Sequence, residues 1–335
     1  MKKILITGGA GYIGSHVVKQ LAECADNRIT VLDNFSTGFQ STVNTLQSKY
    51  SSIDMTELDL SHWDKVSDFM KKNRFDAVVH FAASLIVPES VRKPLTYYLN
   101  NTANTANLIK CCVESETNKF IFSSTAAVYG EPDLTGKAGV TEDMPLNPIN
   151  PYGRSKCFSE HVIKDTAFAY EDFRFVILRY FNVAGASEDG LIGQSTLNAT
   201  HLIKVAAETV IGKRKKMSIF GTDYPTKDGT CIRDYIHVDD LASAHLAALD
   251  YLQENKQGIF NCGYGHGYSV MEVIDTMKRV SGVDFLVEEA PRREGDPAVL
   301  ISDSFKMKSM MNWVPKFDDL KYICKTALEW ERGLK

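Results

Sequence analysis

The sequence predicts an α/β protein built on a doubly wound parallel sheet, because strand-like and helical segments alternate through its first half. Strand-like apolar runs occur at 3–7, 28–33, 52–58, 76–81, 119–124 and 174–180. Helical candidates lie between them, at 12–24, 62–72, 96–115 and 151–170. This alternation indicates right-handed βαβ units, and the ligands of such sheets bind beyond the carboxyl ends of the strands.

A glycine-rich turn follows the first strand. The apolar run Ile4-Leu5-Ile6 leads into Thr7-Gly8-Gly9-Ala10-Gly11-Tyr12-Ile13-Gly14, after which apolar residues recur at helical spacing. A strand, a glycine turn and a helix N-terminus form an anion site, because backbone amides and the helix dipole face the ligand. Gly9-x-Gly11-x-x-Gly14 matches the Rossmann dinucleotide fingerprint, and Gly8-x-x-Gly11-x-x-Gly14 matches its wider variant.

Asp33 strengthens this interpretation. It ends the second apolar run, about 20 residues further along, where a carboxylate can accept hydrogen bonds from an adenosine ribose. No Arg or Lys lies between Asp33 and Gln40 to neutralise a ribose phosphate. The pattern therefore predicts a Rossmann-like domain that binds NAD, and favours NAD over NADP.

Small or polar residues also follow the later strands. Asp59-Leu60 follows the third strand, where a carboxylate could hold an adenine edge. The fourth ends in His80-Phe81-Ala82-Ala83-Ser84, whose small residues let a bulky ligand approach the backbone, while His80 itself is interpreted as a satisfied core histidine. Ser123-Ser124-Thr125 ends the fifth strand, and Tyr180-Phe181-Asn182 ends the sixth.

The composition is that of an ordinary globular protein. Of 335 residues, 44% are hydrophobic and 24% are charged, and the net charge of −4 gives no attraction to nucleic acid or anionic membrane. Seven scattered cysteines without a CxxC pair fit a reducing compartment. Neither a signal-peptide core nor a transmembrane-length apolar run is present. We therefore expect a cytoplasmic protein with no metal site and with neither a nucleic-acid nor a membrane partner.

After residue 181 the alternation loosens. Helices are expected at about 198–211, 269–281, 303–312 and 317–332, and another helix is expected to start with Asp239 or Asp240 as its cap. Strands are expected at 217–220, 259–261 and 283–288. The pattern predicts a smaller domain interleaved with the first. Residues 1–181 and about 234–262 would form the NAD-binding domain, and about 182–233 with 263–335 the second domain.

A tyrosine and a lysine share one face of a predicted helix that starts with Asn150 as cap and Pro151 at its first position. Tyr152 needs a pKa drop of roughly three units, or ~4 kcal/mol, to act as a base near pH 7. An ammonium about 4 Å away supplies on the order of 4 kcal/mol at an intermediate effective dielectric. We therefore predict Tyr152 as a base activated by Lys156, with Thr125 or Ser124 holding the substrate oxygen.

These residues carry a resemblance that runs end to end: the chain is similar to the extended short-chain dehydrogenases/reductases, and among them to the UDP-glucose (UDP-galactose) 4-epimerases. Besides the glycine turn and the Tyr152–Lys156 pair, the shared motifs are Asp33-Asn34-Phe35, Ser123-Ser124-Thr125-Ala126-Ala127-Val128-Tyr129-Gly130, Arg179-Tyr180-Phe181-Asn182, Asp228-Gly229-Thr230-Cys231-Ile232-Arg233-Asp234-Tyr235 and Pro291-Arg292-Arg293-Glu294-Gly295-Asp296. The last two are the most specific for nucleotide-sugar epimerases.

The resemblance implies NAD-dependent interconversion of UDP-galactose and UDP-glucose by transient oxidation at the sugar 4-position, in galactose metabolism. Tyr152 would take the proton of the 4-hydroxyl while NAD takes hydride from the same carbon. The 4-keto sugar would then turn over and receive the hydride on its other face, so that NAD ends unchanged. The second domain would bind the nucleotide sugar, and the protein would be a homodimer formed through helices 96–115 and 151–170.

The resemblance also implies three groups of site residues. The catalytic group is Tyr152, Lys156 and Thr125. The NAD-binding group is Gly8, Gly11, Tyr12, Ile13, Gly14, Asp33, Asn34, Ser36, Asp59, Leu60, Phe81, Ala82, Ala83, Asn100, Ser124, Tyr152, Lys156 and Tyr180. The UDP-sugar group is Thr125, Asn182, His201, Leu202, Ser218, Phe220, Arg233, Arg293 and Asp296. Arg233 and Arg293 also suit a diphosphate chemically, since a guanidinium binds it in bidentate fashion. One of Arg292 and Arg293 is expected to be an ordinary surface-loop residue.

The sequence departs from the family pattern at two places, and a third position bears on the choice of sugar. Leu85 stands where many members have a Lys that reaches the cofactor phosphates, and losing that charge-assisted contact, worth about 1.5–3 kcal/mol, predicts weaker retention of NAD. Thr200-His201-Leu202 replaces an Asn-Asn-Leu on the uracil side. Leu300 is intermediate in size at the position that limits sugar bulk, so acceptance of N-acetylated sugars stays open.

Two alternatives stay open beside the UDP-hexose epimerase. The first is an epimerase for another UDP-sugar, an N-acetylhexosamine, a uronic acid or a pentose; a uronate would need an extra cation that the sequence does not place. The second is a non-catalytic NAD-binding sensor, against which the Thr125–Tyr152–Lys156 set argues. A dehydratase is disfavoured, because Ala126 and Ala127 stand where that chemistry needs acidic residues.

Overall fold

Two units divide the chain in the computed structural model, which describes residues 1–293 and 296–334. The first unit comprises Met1–Val128, Leu146–Arg179 and Ala242–Phe260. The second comprises Tyr129–Pro145, Tyr180–Leu241 and the residues from Asn261 onward. The two units interleave along the chain, and residues 129–145 and 234–241, which the sequence-based division assigned to the first domain, pack with the second unit.

The elements up to residue 180 follow the predicted strand–helix alternation. In chain order they are β1 (Lys2–Thr7), α1 (Tyr12–Ala22), β2 (Asn27–Asp33), α2 (Gln40–Lys49), β3 (Ile53–Glu57), α3 (Trp63–Asn73), β4 (Ala77–His80), α4 (Val87–Arg92), α5 (Pro94–Tyr97), a π-helix (Tyr98–Ala103), α6 (Asn104–Glu114), β5 (Lys119–Thr125), a 3₁₀ turn (Ala126–Val128), α7 (Pro151–Ala169) and β6 (Arg174–Tyr180).

Shorter strands and amphipathic helices follow. They are β7 (Asn182–Ala184), α8 (Leu202–Val210), β8 (Met217–Phe220), β9 (Ile232–Arg233), β10 (Tyr235–His237), α9 (Val238–Gln253), β11 (Gly258–Cys262), β12 (Tyr268–Ser269), α10 (Val270–Ser281), β13 (Val287–Ala290), β14 (Val299–Leu300), α11 (Phe305–Met310) and α12 (Leu320–Gly333). Among the described residues, none of these helices is long and apolar enough to cross a lipid bilayer.

The main sheet has seven strands in the order β11-β6-β5-β4-β1-β2-β3. β1 pairs in parallel with both β2 and β4, β2 with β3, and β4 with β5. The strand order reverses between β1 and β4, where Thr7 lies opposite His80. The predicted doubly wound, Rossmann-like sheet is confirmed, and this reversal is where such sheets bind their ligands.

Three helical features differ from the sequence-based expectation. Helices α2 and α4 were not predicted, because α2 buries only Val43 and Leu46 and α4 spans only six residues, too little to produce a helical period. The expected helix 96–115 is interrupted by the π-helix Tyr98–Ala103. π-helical turns often occur at functional sites, so this interruption is relevant to the site described below.

The core of the first unit lies between the sheet and the helices α3, α6 and α7. Its members include, from the strands, Leu5, Val78, Phe120, Phe122 and Ile177, and, from the helices, Val66, Met70, Leu108, Ile109 and Ile163. α7 begins as predicted, with Pro151 at its first position and the Asn150 side chain accepting a hydrogen bond from the Gly153 amide at 2.9 Å. The start of α7 is therefore fixed by its own sequence.

The second unit contains three small sheets: β7 with β10, β8 with β13, and β9 between β12 and β14. The predicted cap of α9 is wrong, because Asp239 and Asp240 lie inside its first turn. The ring Nδ1 of His237 accepts the hydrogen bond from the Asp239 amide instead, at 3.1 Å. The Asp240 carboxylate accepts from the amides of Lys316 and Phe317 at 2.8 Å, so it holds the segment before α12.

Candidate active site

The glycine turn brings β1, α1 and the segment after β4 into close contact. Gly8 has a φ of +74°, and a Cβ there would lie 2.6 Å from the Ala82 nitrogen. A Cβ on Gly14 would lie 2.9 Å from the Gly9 Cα. Gly11 is the N-cap residue of α1 and, having no side chain, makes no side-chain cap hydrogen bond. A turn without side chains at a helix N-terminus fits the pyrophosphate of a dinucleotide.

Asp33 is buried at the end of β2. Its carboxylate accepts one hydrogen bond from the Ala10 amide at 3.0 Å and one from the Phe35 amide at 2.9 Å. Burial raises the pKa of Asp33, and the bonds from these two amides oppose the rise. Each carboxylate oxygen can accept a second bond, which leaves capacity for the two hydroxyls of a ribose.

Polar contacts also organise the segment beside Asp33. The Asn34 amide group donates to the Asp59 carboxylate at 2.5 Å, and the Ser36 backbone amide donates to Asn34 Oδ1 at 3.0 Å. The structure therefore brings Asn34, Ser36 and Asp59 together, as expected for residues of one NAD site. The side chain of Leu60 instead packs in the core of the first unit, so only its backbone could face a ligand.

The segment after β4 is held by the π-helix. The amides of Phe81 and Ala82 donate to the Thr7 carbonyl at 2.9 and 3.1 Å. Asn100 donates to the Ser84 hydroxyl at 3.0 Å, and the neighbouring Asn101 bonds both the amide and the carbonyl of Ser84. Sequence reasoning named Asn100 but missed Asn101, because nothing in the sequence indicates a π-helix.

Tyr152, Lys156 and Thr125 are brought together where β5 ends and α7 begins. The Thr125 side chain lies close enough to the Tyr152 phenol to lower its pKa. It also accepts from the Ala127 amide at 3.1 Å, which fixes its orientation. The Lys156 ammonium donates to the Ser123 carbonyl at 2.7 Å and lies 4.8 Å from the centre of the Phe122 ring. These are the groups of an acid–base site.

The protonation of this pair differs from the sequence-based expectation. Burial raises the pKa of Tyr152, and the Thr125 side chain opposes the rise. Burial lowers the pKa of Lys156 to about 7, against the attraction of the Glu160 carboxylate. The pKa of Tyr152 is thus higher than the sequence-based argument expects, because burial disfavours the charged form; the activation of Tyr152 by Lys156 stays a prediction.

A buried ion pair supports the same helix. Arg179 on β6 makes two hydrogen bonds to the Glu160 carboxylate, at 2.7 and 3.0 Å, and the side chains are 2% and 0% exposed. Ser124 donates to the same carboxylate at 2.5 Å. Sequence reasoning missed Glu160, although it lies four residues after Lys156 and therefore on the same helix face. The predicted NAD ligand Ser124 has its hydroxyl directed to Glu160.

In the second unit, four of the predicted nucleotide-sugar residues meet in two pairs. The Arg293 guanidinium lies 3.8 Å from the centre of the Phe220 ring, and Arg233 lies 3.5 Å from the Asp296 carboxylate. Arg233 is only 9% exposed, and Leu300 is its partner in the β9–β14 register. Glu294 and Gly295, part of the motif that contains Arg293 and Asp296, lie outside the described residues.

The expectation that one of two adjacent arginines is a surface-loop residue agrees with Arg292. Its guanidinium bonds the exposed carboxylate of Asp223 at 2.7 Å and lies 4.1 Å from the centre of the Tyr224 ring. These contacts hold Arg292 against the 221–230 loop. Arg293 lies on the Phe220 ring instead, and its role as a ligand stays a prediction.

The remaining predicted residues occupy strand ends and helix starts. Asn182 begins β7 and Ser218 lies on β8, while Leu202 begins α8. His201 precedes α8, and its Nδ1 lies 3.1 Å from Gln194 Nε2. Tyr180, expected beside NAD, is the buried last residue of β6, and Tyr12 and Ile13 begin α1. Their roles as ligands stay predictions.

The lowered pKa of Lys156 makes a prediction about stability. Between about pH 7 and pH 10.5 the unfolded chain binds a proton at this lysine that the folded chain does not, so stability rises with pH in this window. Lys156→Met removes this dependence, which amounts to on the order of 4 kcal/mol across the window. Melting temperatures measured from pH 6.5 to 10 should show the wild type gaining on the variant as pH rises. Lys164→Met, on the same helix, is the control, and a constant difference for Lys156→Met would contradict the prediction.

Comparison with known proteins agrees with the fold and the site. The chain matches the NAD dependent epimerase/dehydratase family over residues 4–263. It is 47% identical to a UDP-glucose 4-epimerase of Azospirillum brasilense, over 99% of this chain and 93% of that protein. A solved UDP-Glc/GlcNAc 4-epimerase from Campylobacter jejuni superposes with a TM-score of 0.87 at 57% identity, covering 99% of this chain and 100% of that one. A UDP-glucose 4-epimerase from Bifidobacterium longum, in complex with NAD+ and UDP, gives 0.93 at 34% identity, covering 99% and 98%. The resemblance predicted from the motifs is confirmed, and the chain belongs to the NAD dependent epimerase/dehydratase family.

Proposed function

We propose that this chain is an NAD-dependent 4-epimerase that interconverts UDP-galactose and UDP-glucose, and that it serves galactose metabolism. The observation that carries the proposal is the convergence of Thr125, Tyr152 and Lys156 where β5 meets α7, in a chain that belongs to an NAD-dependent family. Its relatives from Azospirillum brasilense and Bifidobacterium longum are both named as UDP-glucose 4-epimerases.

The first unit is proposed to hold NAD, because its strand ends offer what a dinucleotide needs. Gly8 and Gly14 allow the backbone segments of the turn to pack closely at the start of α1, and Asp33 keeps acceptor capacity for a ribose. Asn34, Ser36, Asp59, Asn100 and the backbone of residues 81–83 complete the proposed set. When bound, NAD supplies the acceptor and later the donor of a hydride at the sugar 4-carbon.

Tyr152 is proposed to remove the proton of the sugar 4-hydroxyl and to return it after the keto sugar has turned over. Thr125 is proposed to hold the substrate hydroxyl, because its side chain lies beside that of Tyr152. Lys156 is proposed to stabilise the phenolate, since opposite charges attract strongly in low-dielectric surroundings. Burial disfavours the phenolate and the ammonium alike, so each of these charges needs compensation.

The second unit is proposed to hold the UDP group. Arg233 and Arg293 provide guanidinium groups for the diphosphate, and Phe220 provides a ring face beside Arg293. Asn182, His201, Leu202, Ser218 and Asp296 complete the proposed set. Firm binding of UDP with few contacts to the hexose would let the keto sugar turn, as epimerisation requires.

The test is to incubate the protein with UDP-galactose, with and without NAD, and to measure UDP-glucose. We expect interconversion, and we expect Tyr152→Phe to lower kcat by about 10²–10⁴, because it removes the acid–base group. Tyr170→Phe, at the end of the same helix, is the matched control and should behave as the wild type. Unchanged turnover in Tyr152→Phe would contradict the mechanism, whereas NAD binding without any interconversion by the wild type would favour an NAD-binding sensor. If the protein converted UDP-glucuronate or UDP-xylose but not UDP-galactose, the proposed substrate would be wrong.

A second substrate class is favoured by one comparison. The Campylobacter jejuni relative, at 57% identity, is described as a UDP-Glc/GlcNAc 4-epimerase. Leu300, which pairs with Arg233 in the β9–β14 register, is intermediate in size and so does not argue against an N-acetylated sugar. UDP-N-acetylglucosamine is therefore included as a second substrate in the same assay.

Leu85 makes a prediction about cofactor retention. The side chain is 42% exposed on the segment after β4, so a longer cationic side chain would fit there without repacking. We expect the purified wild type to be partly free of NAD and to gain activity on its addition. Leu85→Lys should retain NAD about ten-fold more tightly, as one charge-assisted contact implies. Ser48→Lys adds the same charge on α2 and is the control. Full activity of the wild type without any response to NAD would contradict this prediction.

The chain is also proposed to be a cytoplasmic homodimer. Val91, Leu95, Leu99 and Phe158 are 63%, 73%, 66% and 49% exposed on α4, α5, the π-helix and α7, and such apolar surface favours association. The seven cysteines are free thiols, which agrees with a reducing compartment. Light scattering should give twice the mass of one chain, and Leu95→Glu should shift it towards a single chain. A single-chain mass for the wild type at micromolar concentration would contradict the proposal.

A further inference from the structure

A chain of buried hydrogen bonds in the first unit runs from the end of β1 to the π-helix. The Thr7 hydroxyl lies 2.6 Å from His80 Nδ1, and His80 Nε2 lies 2.8 Å from the Thr105 hydroxyl. The Thr105 hydroxyl lies 2.5 Å from the Asn101 carbonyl. All four residues are at most 1% exposed. The interpretation of His80 as a satisfied core histidine is confirmed. One partner, Thr7, precedes the glycine turn, and the other, Thr105, lies on α6 just after the π-helix.

The donors in this chain follow from counting protons. Thr105 has one hydroxyl proton, and the Asn101 carbonyl can only accept, so Thr105 donates to it. The Thr105 oxygen must therefore accept from His80, which places a proton on Nε2. A neutral imidazole then has an acceptor at Nδ1, and Thr7 donates to it. The geometry allows this single arrangement as long as His80 is neutral.

Neutral His80 is consistent with its surroundings. The ring packs between Phe120 and Phe122, each with its centre 5.9 Å away. Burial, together with the charge of Lys156, lowers the pKa of His80 to about 3. Histidine commonly takes part in proton transfer near pH 7, but this one is held in one tautomer.

The other end of the chain reaches the catalytic helix. The Asn101 side chain accepts from the Ser84 amide at 2.8 Å and donates to the Ser84 carbonyl at 2.9 Å, which also fixes the orientation of the amide group. Its second proton goes to the Ser155 hydroxyl at 3.0 Å. Ser155 in turn donates to the Tyr152 carbonyl at 2.8 Å.

The π-helix therefore has a structural role in the site. The Asn101 carbonyl lies 3.2 Å from the Ser159 hydroxyl as well, so the same carbonyl also contacts α7. Thr102 adds a bond from its hydroxyl to the Ser155 carbonyl at 3.0 Å. Asn101 thus contacts both the segment after β4 and the first turn of α7. Its own carbonyl accepts the hydrogen bond from Thr105.

We propose that His80, as the neutral Nε2–H tautomer, is a positioning residue that links the glycine turn to the helix carrying Tyr152 and Lys156. It contacts neither substrate nor cofactor, and it acts through Thr7 on one side and through Thr105 and Asn101 on the other. Only the predicted effect of this linkage on turnover rests on the proposed epimerase function. The tautomer and the binding of NAD are measured without turnover.

The tautomer is tested by ¹⁵N NMR of histidine-labelled protein, with His80 assigned by comparison with His80→Gln. We expect His80 to show a protonated Nε2 and an unprotonated Nδ1, and to keep both from pH 5 to 9. A proton on Nδ1, or titration within this range, would overturn the proposal whether or not the protein is an epimerase.

The linkage is tested with isosteric substitutions that remove one hydroxyl each. Thr105→Val cuts the connection to Asn101 and the catalytic helix, so we expect kcat at saturating NAD to fall by about ten-fold, the cost of one lost buried hydrogen bond. Thr7→Val cuts the connection to the glycine turn, so we expect the dissociation constant of NAD, measured by titration calorimetry, to rise by a similar factor.

Thr166→Val is the matched control. Its hydroxyl donates to the Val162 carbonyl four residues earlier at 2.7 Å, as Thr105 does to Asn101, but lies outside the chain of hydrogen bonds. A purely structural role of His80 would lower the melting temperature of both test variants without separating kcat from NAD affinity. Test variants that match Thr166→Val in kcat and in NAD affinity would also overturn the proposal. If the wild type has no epimerase activity, the proposal for His80 is still tested by the NAD affinity of Thr7→Val and by the tautomer of His80.

Discussion

The burial of Lys156 is the constraint on which the arrangement of the site depends. A lysine with 3% exposure is costly, and it is kept because the Ser123 carbonyl accepts from it, the Phe122 ring face lies beside it and the Glu160 carboxylate is nearby. Glu160 is itself buried and is compensated by two hydrogen bonds from Arg179. Removing any one of these partners would leave an uncompensated charge inside the first unit. The order Tyr152, Lys156, Glu160 on one helix face is thus a single electrostatic arrangement.

The same burial explains why the charged forms of Tyr152 and Lys156 are both disfavoured. Because burial disfavours the tyrosinate and the ammonium alike, Tyr152 keeps its proton as an exposed tyrosine does, whereas Lys156 loses its proton at a much lower pH than an exposed lysine. A site of this kind responds strongly to an added charge, since low-dielectric surroundings screen little. A dinucleotide with a positively charged ring would be such a charge, which gives a physical reason for pairing this residue set with NAD.

Rigid positioning of the helix matters as much as its charges. The first turn of α7 is held by its own cap, Asn150, and by Asn101 through Ser155. The π-helix that presents Asn101 replaces ordinary helical turns and directs consecutive asparagines to Ser84 and Ser155. In the second unit, Arg233 and Arg293 are held by Asp296 and by the Phe220 ring, contacts that orient a guanidinium without burying it completely. In both units, contacts within the protein orient the side chains that the sequence singled out.

Local sequence patterns were sufficient for the sheet, the glycine turn, Asp33 and the start of α7, because each depends on residues close together in the chain. The Tyr152–Lys156 pair could be found for the same reason, since a spacing of four defines a helix face. What the tertiary structure alone decided are the contacts between distant segments. Examples are the tautomer of His80, the role of Asn101, the Glu160–Arg179 pair and the direction of the pKa shifts at Tyr152 and Lys156. Burial and hydrogen-bond partners are properties of the packed chain, and no spacing in the sequence determines them.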